Sequence, residues 1–150
     1  MAMRRAVSRG KRSPTILTLA RSLAAQCAHK DRVCWAQRAY DFVRSHIAYV
    51  NHPLGLETVT DPDRLLALGA GDCDQQAVLF NALVESMGLR SWFKTIAANP
   101  QRRGEWSHVY SLVEIPGVGV LAADCTQLGA SLGWEPTGGY ESAVWPGSME

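Results

Sequence analysis

The chain has 150 residues, a formal net charge of +1, 47% hydrophobic residues and 19% charged residues. That balance suits one folded domain with a real core. It excludes a disordered polymer and a protein whose overall field is aimed at nucleic acid or anionic membrane. No apolar run nears the roughly 18 to 20 residues of a membrane-spanning helix.

Residues 1–12 hold Arg4, Arg5, Arg9, Lys11 and Arg12 and no acid, which leaves the rest of the chain net acidic. They read as a basic, flexible arm ahead of a single domain over residues 13–150, able to touch nucleic acid or an acidic partner. A leader peptide fits poorly, because Arg21 interrupts the short apolar stretch Ile16–Ala20 and no clean cleavage site follows. The expected compartment is therefore cytoplasmic.

Ser13-Pro14 predicts a helix start, with a hydroxyl cap and proline in the first turn. Ile16, Ala20, Leu23, Ala24 and Cys27 then form one apolar stripe. Asp31 caps a second helix carrying Trp35, Ala39, Phe42, Val43, Ile47 and Val50, which His52-Pro53-Leu54-Gly55 ends. Asp61-Pro62 opens a short third helix through Leu65, Leu66 and Leu68, stopped by Gly69 and Gly71. Asp72 caps a fourth, from about Cys73 to Met87, closed by Gly88.

The period then changes. Ser91–Ala97 is rich in aromatic and β-branched residues and reads as a strand, followed by a turn through Asn99–Gly104. Trp106–Ile115 and Val118–Asp124 read as two more strands joined at Pro116-Gly117. The tail after Thr126 reads mostly as loop, with Trp134 and Trp145 clamping it to the body or covering a cleft. Helices first and an antiparallel meander afterwards is an α+β plan.

Cys27, Cys34, Cys73 and Cys125 form no CxxC pair and no disulfide-dense pattern, and they offer no metal-ligand spacing. Neither a metal nor a cofactor is expected. Cys73 stands apart, because it opens a helix just after Gly69-Ala70-Gly71-Asp72. Free N–H groups and the positive end of the helix dipole there favour a thiolate, the nucleophilic form. Asp72 and Asp74 oppose that ionisation, so a cationic partner is needed.

Among the four histidines, His29 and His46 have charged helical neighbours and His52 lies in a loop. His108 sits inside a predicted strand, and Asp124 ends the next one after small apolar residues, where an unpaired carboxylate would be costly. A hairpin near Pro116 brings these strands together, but a two-residue turn at Gly117-Val118 would place Ser111 opposite Asp124. A His108–Asp124 pair therefore needs a wider turn or a bulge. Trp106, two residues before His108, either walls an acyl site or simply packs. Cys125 should face the opposite side of its strand, in the core.

Gly71-Asp72-Cys73-Asp74-Gln75-Gln76-Ala77, followed by Ala82-Leu83 and Gly88-Leu89, resembles the nucleophile helix of the transglutaminase-like superfamily. Trp106-Ser107-His108-Val109 is similar to its histidine strand, Ala123-Asp124-Cys125-Thr126 to its aspartate strand, and Phe42–Tyr49 to the helix placed before the cysteine. The resemblance spans about residues 31–128. It implies a papain-like α+β fold with Cys73, His108 and Asp124 as a catalytic triad. Beside that mapping, Trp106, Asp72 and Asp74, which neighbour the histidine and the cysteine in sequence, are candidates for contact with substrate.

The implied chemistry is acyl transfer or hydrolysis at a glutamine side chain or peptide amide, through a thioester, on a protein or peptide substrate. No side-chain oxyanion donor is assigned. Two other readings compete: a non-catalytic binding or assembly module that keeps the fold, in a phage or virion setting, and a peptidoglycan-directed cysteine hydrolase. The latter usually has serine where this chain has Asp74.

Overall fold

The computed structural model describes residues 2–51, 60–101, 105–139 and 141–149. The first helix, α1 (Ala2–Gly10), corrects the expectation of a flexible arm. Met3, Ala6, Val7 and Gly10 recur at three- and four-residue spacing and are buried, so the arginines occupy the other face. The charges are also used: Arg4 donates to the Ser148 carbonyl, Arg9 pairs with Asp61 at 2.6 Å and Lys11 with Glu85 at 3.1 Å. A β-carbon on Gly10 would stand 2.7 Å from Pro62 Cγ, which is why α1 ends in glycine there.

Helices α2 (Pro14–Ala24), α3 (Arg32–His46) and α5 (Cys73–Ser86) begin where their capping residues place them, while α4 (Pro62–Leu68) begins at its proline without a side-chain cap, Asp61 being paired with Arg9. Ser13 accepts from the Ile16 N–H and Asp31 from the Cys34 N–H. The turn between α2 and α3 brings Cys27 and Cys34 to a Cα separation of 5.8 Å, and they form a disulfide. The sequence shows neither a CxxC pair nor a disulfide-dense pattern, so this bond is a correction to the cysteine reading. A short helix–helix turn folds a seven-residue spacing back on itself, which no CxxC pattern announces.

Helix α3 stops at His46 and does not run on to Val50. Ile47 is already extended, and Ala48–Tyr49 forms β1, which pairs in parallel with β2 (Ala70–Gly71). The expected stop at His52–Gly55, and His52 itself, lie outside the described residues, as do Arg102, Arg103 and Gly104 of the expected turn.

Helix α5 is the axis of the molecule. Every residue from Gln75 to Val84 is buried, and α1, α2, α3, α4, β3 (Ser91–Ala97) and β4 (His108–Ile115) all pack on it. An antiparallel sheet of order β5-β4-β3-β6 lies against it, with β5 at Gly119–Ala123 and β6 at Glu141–Pro146. Strand β6 corrects the expected loop-only tail. It is an edge strand ending in proline, a position that needs no ladder donor. Trp145 on it donates to Thr95 Oγ1 at 3.1 Å.

The sheet's two faces differ. Phe93, Val109, Val113, Ile115 and Ala123 join the main core with α5, whereas Ile96, Tyr110 and Ala122 form a second cluster on the other face. From the segment after β5, Glu135 reaches that second face and accepts from Lys94 and from the Tyr110 hydroxyl.

Candidate active site

Cys73 is the first residue of α5, and the local sequence builds its position closely. Asp72 accepts from the Gln75 N–H at 3.0 Å while Gln75 Oε1 accepts from the Asp72 N–H at 3.0 Å, a reciprocal capping box. Gln75 Nε2 donates on to Thr60 Oγ1. Gly71 has no room for a side chain, since a β-carbon would stand 2.7 Å from Gln75 Oε1 and 2.8 Å from Leu65 Cδ1. The sulphur of Cys73 is half-buried and lies 3.6 Å from Asp74 Oδ1.

The expectation of a thiol acidified by the helix start does not hold in this structure. Burial and then the Asp74 charge push the Cys73 thiol up to about 12, with Asp72 adding in the same direction. The backbone N–H of Val109 faces the sulphur and opposes this, favouring the anion, but it does not win. That contact sets Cys73 against β4 at the residue next to His108.

His108 and Asp124 come together directly, with Nε2 2.6 Å from Oδ2. Register explains how. Ser111 pairs with Ala123 and Ile115 with Gly119, so the turn takes three residues, Pro116 to Val118, with Gly117 at φ 81°. Compared with a two-residue turn, the register moves by one, and Asp124 falls on the face of β4 that carries His108 and Tyr110. The Tyr110 ring stacks beside the imidazole, with centroids 5.9 Å apart.

Asp124 is buried, which by itself raises its carboxyl. The hydrogen bonds from His108 and Thr126 outweigh that, and the group ends below the usual aspartate value. Thr126 supplies both its N–H and its hydroxyl to Oδ1, leaving Oδ2 for the imidazole. An ionised carboxylate on Nε2 fixes the proton there and leaves Nδ1 as the acceptor nitrogen of neutral His108.

Of the remaining sequence candidates, Trp106 precedes β4 and is 42% exposed, while Asp72 is buried as the helix cap. His46 is accounted for by Ser45, the Phe42 carbonyl and stacking on Phe42 at 4.1 Å. His29 is exposed in the turn after α2. Cys125 is buried, as expected.

Sequence reasoning missed Tyr49. Its strand pairs it with Gly71, two residues before Cys73. Burial first, then the neighbouring Cys73, Asp72, Asp74 and Asp124, raise its phenol. The hydroxyl donates to Asn51 Oδ1 at 2.8 Å. The available signal was the β-favouring run Ile47-Ala48-Tyr49-Val50, which had been read as the end of a helix. Among the described residues no group of His, Cys, Asp and Glu is arranged to hold a metal ion.

Comparison with known proteins gives a consistent placement. The family model of the transglutaminase-like superfamily matches residues 18–125. No curated protein sequence matches the chain. Among solved structures, a candidate protease of Parabacteroides distasonis superposes with a TM-score of 0.64 at 16% identity, over 81% of this chain and 25% of its own. A candidate cysteine protease of Cytophaga hutchinsonii gives 0.58 at 15% identity, over 91% and 51% respectively. Legionella pneumophila LapG gives 0.57 at 14% identity, over 88% and 80%. This chain thus spans about a quarter and about half of the first two, and at such identities the likeness is one of α+β fold. With more than half its length matched by the family model, the chain belongs to the transglutaminase-like superfamily.

Proposed function

We propose that this protein is a cysteine hydrolase of peptide or glutamine-type amides, with Cys73 as nucleophile, His108 as general base and acid, and Asp124 as the group that orients the imidazole. The observation carrying this reading is the 2.6 Å contact of His108 Nε2 with a buried, doubly hydrogen-bonded carboxylate, on the strand whose next N–H faces the Cys73 sulphur.

At rest the thiol is neutral. As substrate docks, Nδ1 of His108 takes the thiol proton while sulphur bonds to the carbonyl carbon, and the carbonyl electron pair moves to oxygen. N–H groups at the start of α5 are the donors at hand for that oxyanion, and the Tyr49 phenol joins them only by turning from Asn51 Oδ1, to which it donates at rest. Collapse breaks the C–N bond, and the imidazolium returns its proton to the departing amine. Water, deprotonated by His108, then cleaves the thioester and restores the thiol. An amine entering in place of water would make the same steps a transfer reaction. Two structural neighbours described as candidate proteases favour water and a peptide substrate.

Limiting iodoacetamide at pH 7.5, followed by peptide mapping, tests the reading without a known substrate. Cys73 should be labelled well ahead of buried Cys125, and His108→Ala should slow its labelling by about tenfold or more, as expected for loss of a positioned base. Labelling of Cys73 unchanged by His108→Ala would overturn the assignment.

A further inference from the structure

We propose that Tyr40 and Arg44, one turn apart on α3, are positioning residues that hold the Asp124–Ala130 segment and thereby the carboxylate facing His108. The proposal rests on the roles given above to His108 and Asp124. Tyr40 is fully buried, and its hydroxyl lies 3.3 Å from the Asp124 carbonyl and 3.0 Å from the Ala130 carbonyl. Arg44 Nη1 donates to the same Ala130 carbonyl at 2.7 Å, and Nη2 donates to the Gln127 carbonyl at 3.2 Å. The guanidinium also sits 4.8 Å from the Tyr40 ring centroid. One helix face therefore grips three backbone carbonyls of a segment that leaves β5 at Asp124.

The grip bears on the carboxylate. Asp124 follows the last residue of β5, so strand pairing does not fix what comes after it. Thr126 donates to Oδ1, and the one proton of the Tyr40 hydroxyl is shared between the Ala130 and Asp124 carbonyls, which holds the backbone on either side of that turn. With both ends of the residue held, Oδ2 is presented to Nε2 at 2.6 Å. Without the hydroxyl, the Asp124 carbonyl loses this donor in a buried setting and the segment can pivot about Thr126.

Tyr40→Phe keeps the buried ring, and Arg44→Gln removes the fork from a half-buried position, so at least one variant should fold. The readouts need no substrate: the low-field proton resonance of the short His108–Asp124 hydrogen bond, and the rate of Cys73 alkylation by iodoacetamide at pH 7.5. The resonance should shift upfield or broaden in either variant. Alkylation should slow by on the order of tenfold, the scale of a sub-ångström misplacement of a catalytic group. A lower melting temperature with resonance and rate unchanged would reduce the clamp to simple scaffolding and overturn the proposal. Asp124→Asn in the same series separates the failures. If it abolishes the resonance and slows alkylation while the clamp variants do neither, only the clamp is lost. If it leaves both as they were, or if the unsubstituted protein shows no such resonance, the functional reading falls and the clamp with it.

Discussion

At the scale of single residues, the site is a contest among charges, and the thiol is on the losing side. Burial and Asp74 hold Cys73 as SH, so the proposed attack requires a proton acceptor at that moment. Asp74→Asn removes the nearest negative charge while keeping the shape. Iodoacetamide labelling of Cys73 at pH 7.5 should therefore speed up severalfold, because the thiol's pKa falls when that charge is removed. Tyr49→Phe tests the phenol as an oxyanion donor: turnover of a cleaved peptide should fall by about 100-fold, with the folded state intact because the ring is half exposed. Asp124 gives the pH dependence. Its folded value lies below the unfolded one, so its contribution to stability is fully present above about pH 4 and is lost as pH falls through the folded value. Thermal melts between pH 5 and pH 2.5 should show a steeper acid decline for the native chain than for Asp124→Asn.

At the scale of elements, the start of α5 is where backbone geometry and chemistry meet. Gly71 lies in contact range of both Leu65 and Gln75, so Gly71→Ala must displace the leucine or break the capping box. A loss of about 1–3 kcal/mol, the usual range for overpacking, should appear in urea melts, together with slower alkylation of Cys73. The caps that build this element were legible: Ser13, Asp31 and Asp72 each stand before an apolar periodic run, and each does accept the predicted N–H. Elements lacking such signals were not legible. Helix α1 hides a regular apolar stripe, Met3-Ala6-Val7-Gly10, among three arginines, and only burial against α5 reveals it. Strands β1 and β6 are short, and each exists because a partner strand is available; neither could be stable alone. The His108–Asp124 pair lay between these cases. Both residues were visible in the sequence, but their meeting hung on a turn of three residues and not two, a choice made by Gly117 and Gly119 at positive φ.

At the scale of the whole molecule, α1 is tied to the segment that follows β6, with Arg4 bonded to the Ser148 carbonyl and Ser8 accepting from the Met149 N–H. The N-terminal helix is thus part of the body it was expected to hang from. On the far side, the Cys27–Cys34 disulfide closes the turn between α2 and α3, and both helices pack on α5. Such a bond is ordinary in oxidising compartments and rare in a reducing cytosol. Among the described residues no helix is long and apolar enough to cross a membrane. Because the bond bridges a loop of only about eight residues, the chain-entropy model gives it roughly 2–3 kcal/mol. Two measurements follow. Thiol titration of the purified, denatured protein should find two free thiols, rising to four after reduction, since Cys73 and Cys125 are unpaired. Reduction, or Cys27→Ser with Cys34→Ser, should lower unfolding free energy by that amount without changing Cys73 alkylation in the native state, because the bond sits on the α2–α3 turn and not on the elements that hold the sulphur. Four thiols before reduction would show that Cys27 and Cys34 are not bonded.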